Sequence, residues 1–274
     1  MSPYRFSHAL GYTLEQMSEM HNASFRGYFM PVEMTPEMTA DFWRTNNIDA
    51  LRSVIMHNEG GTFVGMARMG TRGKRGWCGG FGIVPELRGS GASRLLAEQM
   101  VRVAREGGLS TLQLEVLTQN ARARKLYERV GFTTTRRLLG LEITSTVLPA
   151  GAPIRVERVA VEALLPRLMS GGRPCWGCEP STILAVAAEA VVLPGASGQL
   201  NGVIVQRGQR ASILASFFDS GLPDTELTAL LRQAAGDADG LVVFNEPEES
   251  PCLARYRALG FSEFFSQDEM WLTL

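Results

Sequence analysis

The segment from Phe81 to Leu96 constrains the fold of this chain more than any other. An apolar run ends at Pro85, Gly89 and Gly91 follow within a few positions, and apolar residues then recur at helical spacing. This order predicts a strand, a glycine loop and a helix. Glycines let a ligand approach the backbone, and the first helical turn has unpaired N–H groups at the positive end of the dipole. The junction suits a phosphate or pyrophosphate, although an ordinary glycine-rich connection has the same composition.

Two common nucleotide-binding motifs do not fit this loop. Arg94 stands where the third glycine of a dinucleotide-binding fingerprint would be, and no Gly-Lys-Ser or Gly-Lys-Thr sequence follows. The loop therefore matches neither a Rossmann nucleotide site nor a P-loop.

A second motif lies within the next forty residues. It has the pattern Asn-x-x-Ala-x-x-Leu-Tyr-x-x-x-Gly-Phe, and its fixed positions are Asn120, Ala123, Leu126, Tyr127, Gly131 and Phe132. With the loop pattern Arg/Gln-x-x-Gly-x-Gly/Ala, matched by Arg88, Gly91 and imperfectly by Ser93, it makes the chain resemble the GNAT N-acetyltransferase superfamily. The resemblance covers about residues 50–145 well, the first fifty loosely and the last third faintly.

The resemblance implies an α/β fold of the three-layer α+β kind, with a mixed, mostly antiparallel sheet flanked by helices. The two parallel strands on either side of the loop-helix are expected to be adjacent, because a crossover joins them. In the family these strands splay apart, and the pantetheine arm of the cofactor enters between them.

The length of 274 residues favours two domains. A faint echo of the motif, Tyr256-Arg-Ala-Leu-Gly-Phe261, follows a strand-like run that ends at Asn245. The segment 217–224 before the corresponding helix has two acids, no arginine and no Gly-x-Gly. We therefore predict a catalytic GNAT domain at 1–147 and a degenerate GNAT-like domain without a cofactor loop at 153–274, joined by a linker at 148–153.

The resemblance implies acetyl-CoA as a cosubstrate. The residues that it assigns to binding lie on the strand, the loop, the first helical turn and the second motif: Gly82, Ile83, Val84, Arg88, Gly89, Ser90, Gly91, Ala92, Ser93, Asn120 and Tyr127. The backbone N–H groups near Ile83 and Val84 are expected to hold the thioester carbonyl. Asn120 is expected to contact the pantetheine amides, to cap the following helix, or both.

Acyl transfer to an amine needs a base for the amine and an acid for the departing thiolate. Tyr127 is the candidate acid, because the family places a tyrosine near the cofactor sulfur; the alternative is a core aromatic. Glu115 is the candidate base, since it precedes the tyrosine by twelve residues, as in family members that acetylate protein N-termini. Leu117 replaces the arginine of that subgroup. The sequence leaves open whether Glu115 faces the cleft or solvent.

The first eighty residues are predicted to contain two helices and an antiparallel sheet. Tyr4–Leu10 is expected to form an edge strand, Thr13 and Thr35 to cap the helices, and three strands to lie between Arg52 and Val84. The aromatic link Phe25–Pro31 is either a wall of the acceptor site or packing under the sheet.

Charge and cysteine content restrict the partners. A formal charge of −1, from 27 basic and 28 acidic residues, gives no field for nucleic acid or an anionic membrane. No signal peptide or membrane-length apolar run is apparent, so a cytoplasmic protein is expected.

No metal site is expected: Cys175 and Cys178 have metal or redox spacing but lack a second pair or a nearby histidine. A buried free thiol is expected at Cys78.

These observations predict an acetyl-CoA-dependent N-acetyltransferase that acts by direct transfer to a small-molecule or peptide amine. Two alternatives remain: a non-catalytic acyl-CoA-binding or sensor protein, and a thiol synthase built from two GNAT domains. A homodimer is possible.

Overall fold

A computed structural model describes residues 3–30, 33–149, 154–170, 172–195 and 198–274. The chain forms two compact units, one made of Met1–Thr135 with Asp268–Leu274 and the other of Arg136–Gln267. The predicted boundary at 147–153 therefore falls inside the second unit, and residues 150–153 of the predicted linker lie outside the described residues.

The first unit contains strands β1 (Tyr4–His8), β2 (Val54–Asn58), β3 (Phe63–Arg72), β4 (Arg75–Ile83) and β5 (Thr111–Leu117), and helices α1 (Leu14–Phe25), α2 (Pro36–Thr45), α3 (Ala92–Glu106) and α4 (Ala121–Arg129). Strand β6 (Thr133–Thr144) leads into the second unit, which continues with β7 (Glu157–Val159), α5 (Leu165–Ser170), α6 (Pro180–Ile183), β8 (Ala188–Pro194), β9 (Leu200–Gln206), β10 (Ala211–Phe217), α7 (Asp224–Ala235), β11 (Gly240–Pro247), α8 (Pro251–Ala258) and β12 (Ser262–Thr273).

Both predicted helix starts are confirmed. Thr13 and Gln16 form a capping box before α1, with the Gln16 N–H donating to Thr13 Oγ1 at 3.2 Å and the Thr13 N–H to Gln16 Oε1 at 2.9 Å. Thr35 accepts from the Met38 N–H at 3.2 Å and is followed by Pro36 at the first helical position. None of the helices in the described part of the chain is long and apolar enough to cross a membrane.

The sheet of the first unit has the strand order β1-β2-β3-β4-β5-β12, with β1 at the edge as predicted. Its two faces carry different helices. Alternate residues such as Met56 and Met69 pack in one cluster with α3, whereas Ile55 and Met66 pack in another with Met17 of α1. The site described below lies between these helical layers, where β4 and β5 are parallel neighbours.

The last strand explains why the two units are not consecutive along the chain. Met270 and Leu272 of β12 belong to the apolar core that α3 and β5 share, and the Leu274 N–H donates to the Ser110 carbonyl at 3.0 Å. Leu148, at the start of the predicted linker, is instead buried in the core of the second unit. Because β12 joins residues that are far away in the sequence, no local pattern marks it as part of the first unit. The predicted domain bounds therefore did not include β12 in that unit.

The second unit has the strand order β12-β6-β11-β10-β9-β8-β7. The pairs that the structure describes within it are antiparallel except for β10 with β11, which is parallel. Helix α7 buries Leu227, Leu230 and Leu231 against this sheet. Each unit thus has a mixed, mostly antiparallel sheet with helices against it, as predicted.

A substitution in β12 tests whether this strand is part of the first unit. Met270→Ala removes a side chain that is fully buried in its core, and it is expected to lower the free energy of unfolding by about 2–5 kcal/mol. Denaturant titration followed by tryptophan fluorescence measures the change.

The matched control is Thr273→Ala, at an exposed position of the same strand, which should change stability by about 0.5 kcal/mol or less. Equal effects of the two substitutions would show that β12 is not integral to this core.

Candidate functional site

Strands β4 and β5 stop pairing halfway along. Their last parallel pair is Cys78 with Leu114, although β4 runs on to Ile83 and β5 to Leu117. A bulge in β4 marks the same point, because Arg68 and Met69 of β3 pair with Gly80 and Cys78 and skip Gly79. The predicted splay is therefore present, and it opens a gap between the two strands that we call the strand gap.

Backbone hydrogen bonding at the end of β4 corrects one prediction. The Val84 N–H donates to the Val64 carbonyl of β3 at 2.9 Å. It is therefore not available to a thioester carbonyl. In an antiparallel ladder alternate residues turn their polar groups to opposite sides, so the N–H groups of Ile83 and Phe81 point away from β3 and towards the strand gap. The N–H of Ile83 therefore has the orientation that its predicted role needs, and the N–H of Phe81 has the same orientation; the role itself stays a prediction.

The glycine loop has the backbone expected of an anion cradle. Gly89 and Gly91 have φ of +86° and +93°, and Gly91 is the N-cap of α3. Ser90 shapes the loop, since its hydroxyl donates to the Leu87 carbonyl at 2.7 Å and accepts from the Ala92 N–H at 3.4 Å. None of the hydrogen bonds described for this loop uses the N–H of Gly89 or Gly91. The N–H of Ser93, in the first turn of α3, likewise has no partner among these bonds, so the N–H groups of Gly89, Gly91 and Ser93 are available to an anion.

Arg88 has structural contacts that the sequence did not predict. Its Nε donates to the Ile83 carbonyl at 3.1 Å, and its Nη2 donates to the carbonyls of Ser24 and Arg26 at 3.0 and 2.8 Å. The guanidinium thus fastens the end of α1 to the end of β4, and its contact with a cofactor stays a prediction. A loop arginine with this contact set is a structural clamp for the site.

Arg122 is a cation that the sequence reading missed. It lies in the first turn of α4, and its Nη2 is 3.5 Å from the position a Cβ on Gly89 would occupy. Its side chain is exposed, and no ion pair of Arg122 is found among the described residues. The guanidinium of Arg122 therefore places a positive charge beside the glycine loop.

Asn120 lies at the end of β5 and caps α4, its Oδ1 accepting from the Ala123 N–H at 3.2 Å. The same side chain lies near the hydroxyl of Tyr28, on the segment between α1 and α2, and lowers the pKa of that phenol against the larger effect of burial. One of its two predicted uses, the helix cap, is therefore present; the contact with pantetheine stays a prediction.

Tyr127 is buried on α4 against the face of the sheet that carries α3. Its ring meets those of Phe81 and Phe132 edge-on, at centroid distances of 5.7 and 5.9 Å. Gly131, with φ of +102°, ends the helix so that the Phe132 N–H reaches the Tyr127 carbonyl at 3.0 Å. Burial, with smaller effects of Cys78 and Tyr28, raises the pKa of Tyr127 well above its usual value.

Glu115 is the first residue of β5 beyond its last pair with β4, and it faces the helical layer of α1 and α2. Trp77 Nε1 donates to Glu115 Oε2 at 2.6 Å, and the Trp77 ring lies 6.0 Å from that of Phe42 on α2. Only glycine fits at position 79, since a Cβ there would be 2.1 Å from Trp77 Cζ3. The glycine lets the indole cross β4 and fix the carboxylate beside the strand gap.

The sequence reading also missed Arg68, which is 4% exposed on β3. Its guanidinium lies 4.5 Å from the Phe42 ring, and its Nη2 donates to the Gly79 carbonyl at 3.3 Å, at the bulge. Burial lowers the pKa of Arg68 to about 10. Burial likewise raises the pKa of the Cys78 thiol to about 12, so this free cysteine is the buried thiol that the sequence predicted.

The second unit repeats the strand geometry of the first. Parallel pairing of β10 with β11 ends at Ile213 with Val243, and β10 has a bulge at the next residue. Tyr256 follows Val243 by thirteen residues, as Tyr127 follows Leu114. The Phe261 N–H donates to the Tyr256 carbonyl at 3.1 Å after Gly260, with φ of +94°. The echo seen in the sequence is therefore a repeat of local structure.

The second unit lacks the anion cradle. Pro223 is the N-cap of α7, and Asp224 and Glu226 occupy its first turn, where negative charge already satisfies the helix dipole. The turn that contains Cys175 and Cys178 contacts β10, and the Cys178 thiol donates to the Phe244 carbonyl of β11 at 3.9 Å. The chain's own turn therefore spans the diverging strands of this unit.

All four cysteines are free. Within the described ranges, no group of three or more His, Cys, Asp or Glu side chains is arranged to hold a metal ion.

Comparison with known proteins agrees with the geometry. Residues 14–132 match the model of the acetyltransferase (GNAT) family. Similar solved structures include a GCN5-related N-acetyltransferase from Sphaerobacter thermophilus, with 14% identity, a TM-score of 0.71 and coverage of 100% of this chain and 96% of that one. A putative acetyltransferase from Pyrococcus horikoshii has 14% identity and a TM-score of 0.69, covering 100% and 90%.

A tandem GNAT protein from the clavulanic acid biosynthesis pathway has 15% identity and a TM-score of 0.67, covering 98% of each chain. No curated protein sequence matches this chain significantly. The structural likenesses establish the fold, and the family match lies over the unit that contains the glycine loop, Glu115 and Tyr127. Residues 14–132 therefore match the GNAT acetyltransferase family, and the chain as a whole shares the fold of these acetyltransferase structures.

Proposed function

We propose that this protein transfers the acetyl group of acetyl-CoA to a primary amine of a small molecule or peptide, directly and within a ternary complex. The observation that carries the proposal is the strand gap, which has a buried phenol, Tyr127, on one face of the sheet and a fixed carboxylate, Glu115, on the other. An acyl donor and an amine can thus approach the same point from opposite sides.

The residues of the first unit fit the parts of acetyl-CoA. The glycine loop and the first turn of α3 offer backbone N–H groups for the pyrophosphate, and Arg122 adds a positive charge beside Gly89. The unpaired edge of β4 offers hydrogen bonds to the amides of the pantetheine arm. The second unit has acids at the corresponding helix, so the proposal assigns cofactor binding to the first unit alone.

Each chemical step has a group of this chain in place. Glu115 takes a proton from the substrate ammonium, which gives the amine a free electron pair for attack on the acyl carbon. The N–H groups of Ile83 and Phe81 stabilise the negative charge that develops on the acyl oxygen. As the carbon–sulfur bond breaks, Tyr127 gives its proton to the thiolate, and the new amide releases its second N–H proton to solvent. Glu115 then loses its proton to solvent and Tyr127 regains one, so that each turnover releases one proton.

The protonation state of Tyr127 suits this role. Because burial raises the pKa of the phenol, it keeps its proton through neutral and alkaline pH and is able to donate it. Loss of activity through ionisation of Tyr127 should accordingly begin only above pH 10, the ordinary value for this side chain.

Replacing Tyr127 tests the proposed acid. Tyr127→Phe keeps the ring contacts with Phe81 and Phe132 and removes only the hydroxyl, so it should lower turnover about 100-fold and leave the affinity for acetyl-CoA unchanged. Thiol release over a panel of primary amines gives the rate, and calorimetric titration gives the affinity.

Tyr256→Phe is the matched control, since it removes the equivalent hydroxyl from the second unit. Its turnover should equal that of the wild type. Unchanged turnover in Tyr127→Phe would remove this residue from the mechanism.

Replacing Arg122 tests the proposed cofactor contact. Arg122→Ala removes the guanidinium over the glycine loop, and the loss of one charge-assisted hydrogen bond should weaken acetyl-CoA binding by about tenfold. Arg129→Ala, at the opposite end of the same helix, should bind acetyl-CoA as the wild type does. Equal affinities of the two variants would mean that Arg122 does not reach the cofactor.

A further inference from the structure

The segment after α1 is held against β4 where that strand has left β5. A Cβ on Gly82 would lie 2.7 Å from Ser24 Cβ and 3.4 Å from Phe25 Cε2, so the end of α1 packs directly on the glycine backbone. Gly82 lies beyond the last pair with β5. Phe25 therefore covers the β4 side of the strand gap, on the face opposite to Tyr127.

Tyr28 extends this cover to the other strand. Its N–H donates to the Phe25 carbonyl at 3.0 Å, and its ring meets the Phe25 ring edge-on at 5.4 Å. Its hydroxyl lies near the side chain of Asn120, which follows β5 and lowers the pKa of this phenol. Phe25 and Tyr28 thus reach from β4 to the end of β5 and cross the strand gap.

Tyr28 also lies close to the candidate acid. The two phenols interact electrostatically, and burial raises the pKa of Tyr28, against a smaller opposite effect of Asn120. Tyr127 approaches the strand gap from the face that carries α3, and Tyr28 approaches from the face that carries α1. The Tyr28 ring therefore lies across the strand gap from Tyr127.

The position of Tyr28 is fixed by contacts outside the aromatic cluster. Arg88 donates to the carbonyls of Ser24 and Arg26, just before Tyr28, and Arg26 forms an ion pair with Glu86. After the segment, the Asn22 side chain accepts from the Met34 N–H at 2.8 Å and donates to its carbonyl at 3.1 Å. A side chain held at both ends of its segment acts as a fixed wall.

We propose that Tyr28 sets the length of the acyl chain that this enzyme accepts, as a specificity-determining residue at the acyl end of the strand gap. The inference rests on the proposed function, because it places the thioester beside Tyr127. An acetyl group fits before the Tyr28 ring, whereas each further methylene of a longer chain meets it.

Acyl-CoA affinities test this proposal without knowledge of the acceptor. Calorimetric titration of acetyl-CoA and butyryl-CoA gives the ratio of their dissociation constants for the wild type, Tyr28→Leu and Tyr28→Ala. The wild type should bind butyryl-CoA at least about tenfold more weakly than acetyl-CoA. In both variants most of this difference in affinity should disappear, because butyryl-CoA binds more tightly than it does to the wild type.

Phe29→Ala is the matched control, since Phe29 is the next residue, contacts the Tyr28 ring and is 55% exposed. It should keep the wild-type ratio. Tyr28→Phe should also keep it, because the ring remains.

The outcomes separate the two proposals. Two results would overturn the role of Tyr28 and leave the acetyltransferase function standing. In the first, the wild type binds acetyl-CoA and the ratio is unchanged in Tyr28→Leu and Tyr28→Ala. In the second, the wild type binds acetyl-CoA and butyryl-CoA equally well. If the wild type binds neither thioester, the proposed function is overturned together with it. A loss of affinity for both thioesters to the same extent would assign Tyr28 a structural role only.

Discussion

The functional architecture depends on the point at which β4 stops pairing with β5. Up to Cys78 and Leu114 the two strands form an ordinary parallel ladder. Beyond them the bulge at Gly79 turns β4 away, which leaves the N–H groups of Phe81 and Ile83 facing a gap. A buried N–H without a partner costs about 1–3 kcal/mol, so a fold that keeps such groups at one place has a use for them. Tyr127, Glu115 and the glycine loop are all arranged around this interruption of the sheet.

Much of the site could be predicted from sequence because its signals are local. The loop glycines need positive φ, Asn120 is followed by a helix that it caps, and Gly131 with Phe132 ends that helix beneath Tyr127. Motif spacing fixes where a residue lies along the chain but not where its side chain points. Arg88 and Val84 show this limit: both are at the predicted place, yet one binds three carbonyls and the other completes a ladder bond.

The remaining errors concern contacts between distant parts of the chain. The approach of Tyr28 to Asn120 and the return of β12 to the first core depend on tertiary packing, which leaves no periodic pattern. The second unit shows that a weak sequence signal can be correct. The similarity of the sequence around Tyr256 to the motif of the first unit corresponds to a structural repeat of the diverging strands, the bulge and the buried phenol. It differs in the charge at the start of α7 and in the turn at Cys178 that lies across β10 and β11. The scaffold is thus repeated, whereas the anion cradle is found in the first unit.

The central claim is that an open strand gap joined to an anion cradle makes one acyl-CoA site, and that a strand gap without the cradle makes none. The stoichiometry of acetyl-CoA binding to the full chain tests it most directly, by calorimetric titration at a protein concentration well above the dissociation constant. The account predicts one acetyl-CoA per chain. Two equivalents per chain would contradict it, because the second unit would then bind the cofactor despite the acids at the start of α7.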